Sequence, residues 1–108
     1  MKIVLYTGYQ STKWNPDTQH KIGLGGTEQC VLYLAYHLAA YPGNQVWVVG
    51  DVIEGDFDNV KYRTTSTFKN EVDSVDTIIA TSYIHYLKEF EDFNYKNSIF
   101  WVHNTDYF

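Results

Sequence analysis

Apolar residues in this chain come in short blocks separated by polar stretches, and the spacing inside the blocks alternates between two kinds. Ile3 to Tyr6 is an uninterrupted run of β-formers and predicts a buried strand. A long polar stretch follows from Thr7 to Leu24, with the turn signal Asn15-Pro16-Asp17 inside it and Gly23-Leu24-Gly25-Gly26 closing it. Val31, Leu34, Ala35 and Leu38 then repeat at i, i+3, i+4 and i+7, the stripe of a helix packed on a sheet. Pro42-Gly43 stops that helix. Cys30 is assigned to its apolar side as a small hydrophobe and His37 to its surface.

The second half repeats the alternation. Gln45 to Val49 predicts a strand, and Gly50-Asp51 opens a loop whose Asp51, Glu54, Asp56 and Asp58 read as a solvated acidic face. Val60 to Arg63 predicts a short strand, and Phe68, Val72 and Val75 keep a helical spacing through Asp73. Val75 to Ala80 reads as a buried strand. Thr81-Ser82 then offers an N-cap to a helix carrying Tyr83, Leu87 and Phe90 on one face and His85 at the surface. Ser98 to Val102 is the last strand, with His103 immediately past its end. Strands alternating with helices favour right-handed crossovers and a parallel sheet. The fold expected is α/β: a Rossmann-like open parallel sheet with helices on both faces, one domain over 1–108. The chain stops almost on its last strand, where an open sheet normally carries a further helix, so a fragment of a longer protein is expected.

Composition narrows the function classes. At 108 residues the chain can bury roughly two-thirds of its unfolded surface. Its net charge of −5 and lack of a basic run argue against broad binding to nucleic acid or anionic membrane. Cys30, the single cysteine, excludes an internal disulfide framework and a multi-cysteine zinc site. No apolar stretch approaches the ~20 residues of a transmembrane helix. The apolar run at the amino terminus is too short for a signal peptide. A soluble, cytoplasmic protein is the expectation.

The strongest chemical signal is a strand, a loop, Gly23-x-Gly25-Gly26-Thr27-Glu28 and a helix. Glycine lets a backbone approach a ligand closely, and the first helical turn offers unpaired N–H groups and a partial positive charge. Together they suit a phosphate or diphosphate. The alternative is a glycine turn that only starts the helix, with Thr27 as its cap. A nucleoside-triphosphate loop is excluded, because Thr27 rather than lysine follows Gly26. A dinucleotide site needs G-x-G-x-x-G right after the strand. These glycines are spaced differently and lie far from Tyr6, although Asp51 ends the second strand where a ribose-binding acid would sit.

The order strand, long loop, Gly25-Gly26-Thr27-Glu28, amphipathic helix and Asn44-Gln45-Val46-Trp47-Val48 resembles the amino-terminal domain of family-four glycosyltransferases, enzymes of the two-domain GT-B fold. Val75-Asp76-Thr77-Ile78-Ile79-Ala80 resembles that family's Asp-led strand, and Trp101-Val102-His103-Asn104 its strand ending in histidine. The resemblance covers nearly the whole chain, in order. It implies a retaining, nucleotide-sugar-dependent transferase whose first domain holds the acceptor and whose absent carboxyl-terminal domain holds the donor. Gly25 and Gly26, with Thr27, would then support the donor diphosphate, and His103 would lie by the donor sugar as the catalytic residue. Asn104-Thr105-Asp106 follows that histidine where family members commonly carry an acidic or proline-containing segment. No metal cofactor is expected, since helix ends and side chains of the other domain can supply the counter-charge. The isolated chain is expected to be inactive.

Three further residues are weighed for the acceptor. Trp14 can stack on the C–H face of a sugar or pack its loop onto the sheet. His20 can meet acceptor or phosphate or remain a solvated loop residue. Glu28 suits the helix dipole and can also meet an acceptor hydroxyl. The rival functions are a nicotinamide-type dinucleotide-binding module and a non-catalytic glycan-binding domain. The exposed last strand, with Trp101, Tyr107 and Phe108 nearby, can promote self-association.

Overall fold

The computed structural model describes residues 1–8, 13–17, 26–81 and 86–101. In chain order they form β1 (Lys2–Gly8), α1 (Gly26–Ala39), β2 (Gln45–Gly50), β3 (Gly55–Phe57), β4 (Val60–Arg63), α2 (Thr65–Glu71), β5 (Ser74–Thr81), α3 (Tyr86–Glu89) and β6 (Asn94–Trp101). The strands make one six-stranded sheet in the order β3-β4-β2-β1-β5-β6. Every pair is parallel except β3–β4. The α/β expectation therefore holds, with one antiparallel strand added at the edge.

β1 runs through the middle, and its residues 3–8 are all buried, which is why it reads as a continuous apolar run rather than an alternating one. Side-chain alternation divides its residues between two cores. Leu5, Val46, Val48, Val60 and Tyr62 meet Val31 and Ala35 of α1 on one face. Val4, Tyr6, Trp47, Val49 and Ile78 meet Phe68 of α2 and Phe90 beyond α3 on the other. Helices thus cover both faces. The second core is built on aromatic edges: Phe90 meets Tyr6 at 5.5 Å and 89°, and Phe68 meets Trp47 at 5.8 Å and 70°.

Two elements differ from their sequence reading. The acidic stretch after β2 is not simply a solvated loop, because Gly55–Phe57 pairs with β4 around Asp58-Asn59, whose φ angles are 51° and 66°. Positive φ at both central residues is the turn that matches strand twist in a tight hairpin, and Asp and Asn tolerate it. The carboxylates here also have partners. Asp56 pairs with Arg63 at 2.7 Å, and Glu54 accepts the Thr64 N–H at 2.9 Å, ahead of α2. Cys30 is exposed rather than on the apolar side. Val31 and Ala35 define the inward line, and one residue back turns the side chain by ~100° away from it.

The remaining boundaries moved less. α2 ends at Glu71, so Val72 is extended and Val75 already belongs to β5. β6 begins at Asn94, four residues before the expected start at Ser98. Thr81 lies inside β5 rather than capping a helix, while Ser82, Tyr83 and His85 fall outside the described residues. Among the described residues no helix is long and apolar enough to cross a membrane.

Candidate functional site at the carboxyl edge of the sheet

The strand order creates a switch point. From β1 the chain crosses by α1 to β2 on one side, and later returns to lay β5 on the other side of β1. The crossovers run in opposite directions on the two sides of β1, and open α/β sheets take ligands at the carboxyl ends of strands at such a switch point, here β1 and β5. α1 joins two parallel strands and so runs back against them. Its amino terminus, at Gly26, therefore stands at this carboxyl edge.

The edge is closely built. Gly50 ends β2 with φ 155°, and a Cβ there would come within 2.3 Å of Thr7 Oγ1 and 2.9 Å of the Gly8 backbone. Gly8 itself has φ 65°, and its carbonyl accepts the Asp51 N–H at 3.1 Å. Thr7 Oγ1 donates to the Val49 carbonyl at 3.3 Å, and Thr81 Oγ1 donates to the Tyr6 carbonyl at 3.2 Å. Both threonines are buried, so they lock β1 to its neighbours on either side rather than face a ligand. Asp51 stands half-buried beside the end of β1. The Tyr6 hydroxyl is pushed up to about 12, first by burial and then by the carboxylates of Glu89 and Asp51.

The residues singled out from sequence fare differently. Gly26, Thr27 and Glu28 form the first turn of α1, with Glu28 half-buried at the positive end of the helix. Gly25, His20 and His103 lie outside the described residues. Trp14 is corrected as an acceptor-stacking residue: its ring is 1% exposed and offers no face to a sugar. It fills the seam beside α1, edge-on to Tyr62 at 6.0 Å and 81°, and its carbonyl accepts the Ile53 N–H at 2.7 Å. The packing alternative for this loop tryptophan is the one realised. His37 is exposed and lies against Tyr33 and Tyr36. The chain carries one Asp-x-Asp spacing, Asp56-Phe57-Asp58, and the structure gives Asp56 to Arg63.

Concavities also lie elsewhere among the described residues. A trough of about 580 Å³ runs along the opposite, amino edge, lined by Met1, Lys2, Asp76, Asn94, Tyr95 and Lys96. It is the larger space, but its polar groups are engaged. Asp76 accepts the Lys2 backbone N–H at 2.7 Å and pairs with Lys96 at 3.4 Å, while the Met1 ammonium donates to the Gly43 carbonyl at 2.8 Å. The Lys2 N–H, and then Lys96, hold the Asp76 carboxyl below its usual range. These bonds tie strand starts together, which is a structural role. A smaller pocket of about 190 Å³ opens between α1 and the β3–β4 hairpin, with Tyr36, Phe57, Asp58 and Tyr62 in its lining. Sequence reading missed it; the two turn-forming residues Asp58-Asn59 were the available sign of a hairpin there. Compared with known protein families, with curated proteins and with solved structures, the chain matches none.

Proposed function

We propose that the chain is the acceptor-side domain of a nucleotide-sugar-dependent, retaining glycosyltransferase of GT-B type, a reaction that also needs a donor-binding domain. What supports this reading is the direction of α1, which brings its amino terminus at Gly26 to the carboxyl edge of the sheet, over β1 and β2. Departure of a nucleoside diphosphate leaves negative charge on its phosphates. Backbone N–H groups at Gly25, Gly26 and Thr27, backed by the helix dipole, stabilise that charge as it develops. By the resemblance His103 is assigned the catalytic role, and Glu28 and His20 are assigned to the acceptor. The resemblance set out above supplies the reaction type and the role of His103.

A second reading has its own observation. Asp51 directly follows β2 and lies beside the end of β1, the position of a ribose-binding acid in a dinucleotide site. Two measurements separate the readings. Assayed within its full-length protein, the chain should support sugar transfer from a nucleotide-sugar donor to a glycan or other hydroxyl acceptor; acceptor binding without transfer would indicate a glycan-binding module. In the isolated chain, nucleoside diphosphates should shift the backbone amides of Gly26 to Glu28 weakly, and Asp51→Asn should leave that unchanged. Tighter binding of NAD that Asp51→Asn abolishes would move the assignment to the dinucleotide module.

A further inference from the structure

We propose that the pocket between α1 and the β3–β4 hairpin binds an organic cation, an alkylated ammonium head group, held by Tyr36 and Phe57 beside the Asp58 carboxylate, with Tyr62 as the buried floor. The proposal goes beyond the transferase reading and does not depend on it. Pro16, Leu32 and Val60 complete the lining of a space of about 190 Å³, which mixes polar and apolar surface. The rings of Phe57 and Tyr62 stand 5.7 Å apart at 77°, forming a corner rather than a flat stack. Tyr62 is 2% exposed and braced edge-on by Trp14, so it supports Phe57 from beneath and fixes that ring before any ligand arrives. Tyr36 approaches from α1 and is 53% exposed, leaving the third ring at the open side.

Charge selects the ligand. Aromatic faces carry negative potential and attract cations, most strongly where water is excluded. Asp58 adds a full negative charge, placed at the pocket by its positive-φ turn. Its closeness is also felt by Tyr62, whose hydroxyl is raised first by burial and then by this carboxylate. No ion pair neutralises Asp58 among the described residues, and the hairpin's guanidinium, Arg63, is committed to Asp56 and Glu71. A metal ion would find a single carboxylate side chain in the lining, too few acidic ligands for its coordination. A bare ammonium is strongly hydrated and sheds its water reluctantly, whereas alkyl groups on nitrogen give up little and fill apolar walls. The same head group occurs on free quaternary amines and on methylated lysine side chains.

The test is an amide-resolved NMR titration of the chain with choline, compared with its uncharged isostere in which a tert-butyl group replaces trimethylammonium, at constant ionic strength. Choline should give saturable shifts at Leu32, Val60 and Tyr62, with the isostere about tenfold weaker or worse. Tyr36→Leu, an exposed substitution, should weaken choline roughly three- to tenfold, while Tyr36→Phe keeps the affinity within about twofold. Asp58→Asn, which tolerates the same backbone, should weaken it similarly. Equal binding of the isostere, unchanged affinity in Tyr36→Leu, or no saturable shift with choline or with a trimethyllysine peptide overturns the proposal. If the trimethyllysine peptide binds more tightly than choline, and its unmethylated form does not, the site takes a protein side chain; the reverse order assigns it to a free amine.

Discussion

Gly50 and Tyr6 show how single residues set the carboxyl edge. A methyl group on Gly50 would meet the Thr7 hydroxyl and the Gly8 backbone in a conformation that side chains rarely adopt. Gly50→Ala should therefore cost about 2 kcal/mol or more, read as a lower urea midpoint at unchanged slope. Tyr6 reports on the other side of the sheet. Its hydroxyl keeps its proton to about pH 12 when folded, against about 10 in the unfolded chain. The stability it contributes is complete below about pH 10 and is lost as pH rises toward 12. Tyr6→Phe should flatten that part of the alkaline decline in thermal melts while leaving neutral-pH stability close to the parent. Asp76 has the opposite sign: its lowered carboxyl stabilises above about pH 4 and loses that contribution as pH falls through its folded value.

At the scale of elements, the β3–β4 hairpin depends on its turn and on one guanidinium. Asn59 sits at φ 66°, where glycine carries no Cβ penalty, so Asn59→Gly should raise the melting temperature by a few degrees, about 0.5–1 kcal/mol. Arg63 uses both arms. Nη2 reaches Asp56, Nε reaches Glu71 at the end of α2, and Nη1 donates to the carbonyls of Gly55 and Tyr62. A lysine cannot reproduce that fork. Arg63→Lys should cost about 1–2 kcal/mol in urea unfolding, more than an isolated surface pair, because the arginine is mostly buried while its partners stay wet. Hydrogen exchange should localise the loosening to β3 and the end of α2.

Across the whole molecule, the two sheet edges are unlike. The β3 edge is short and charged, which blunts pairing, whereas β6 is eight residues long and mostly exposed, with Ile99 and Phe100 both open to solvent. A long, solvent-exposed strand carrying Ile99 and Phe100 should make the chain associate with rising concentration. Sedimentation velocity should show the effect, and Ile99→Lys should shift the population toward monomer without lowering the melting temperature; monomer at all concentrations would count against it.

Much of this architecture was legible because a strand buried on both faces and a helix buried on one leave different apolar spacings, as Ile3–Tyr6, Val75–Ala80 and the Val31/Ala35 stripe did. Those patterns also placed helices between parallel strands, from which the switch point beside β1 follows. What the linear pattern left open was decided by long-range packing. Trp14 is one apolar residue in a polar stretch, and only the seam between α1 and β4 determines that its ring is buried. Phe57 is a single apolar position among acids, and β3 exists because the Asp58-Asn59 turn returns the chain onto β4. The aromatic pocket needs residues from a helix and a hairpin more than twenty positions apart, a juxtaposition that no local spacing encodes, because it depends on how the crossover sets α1 over the sheet.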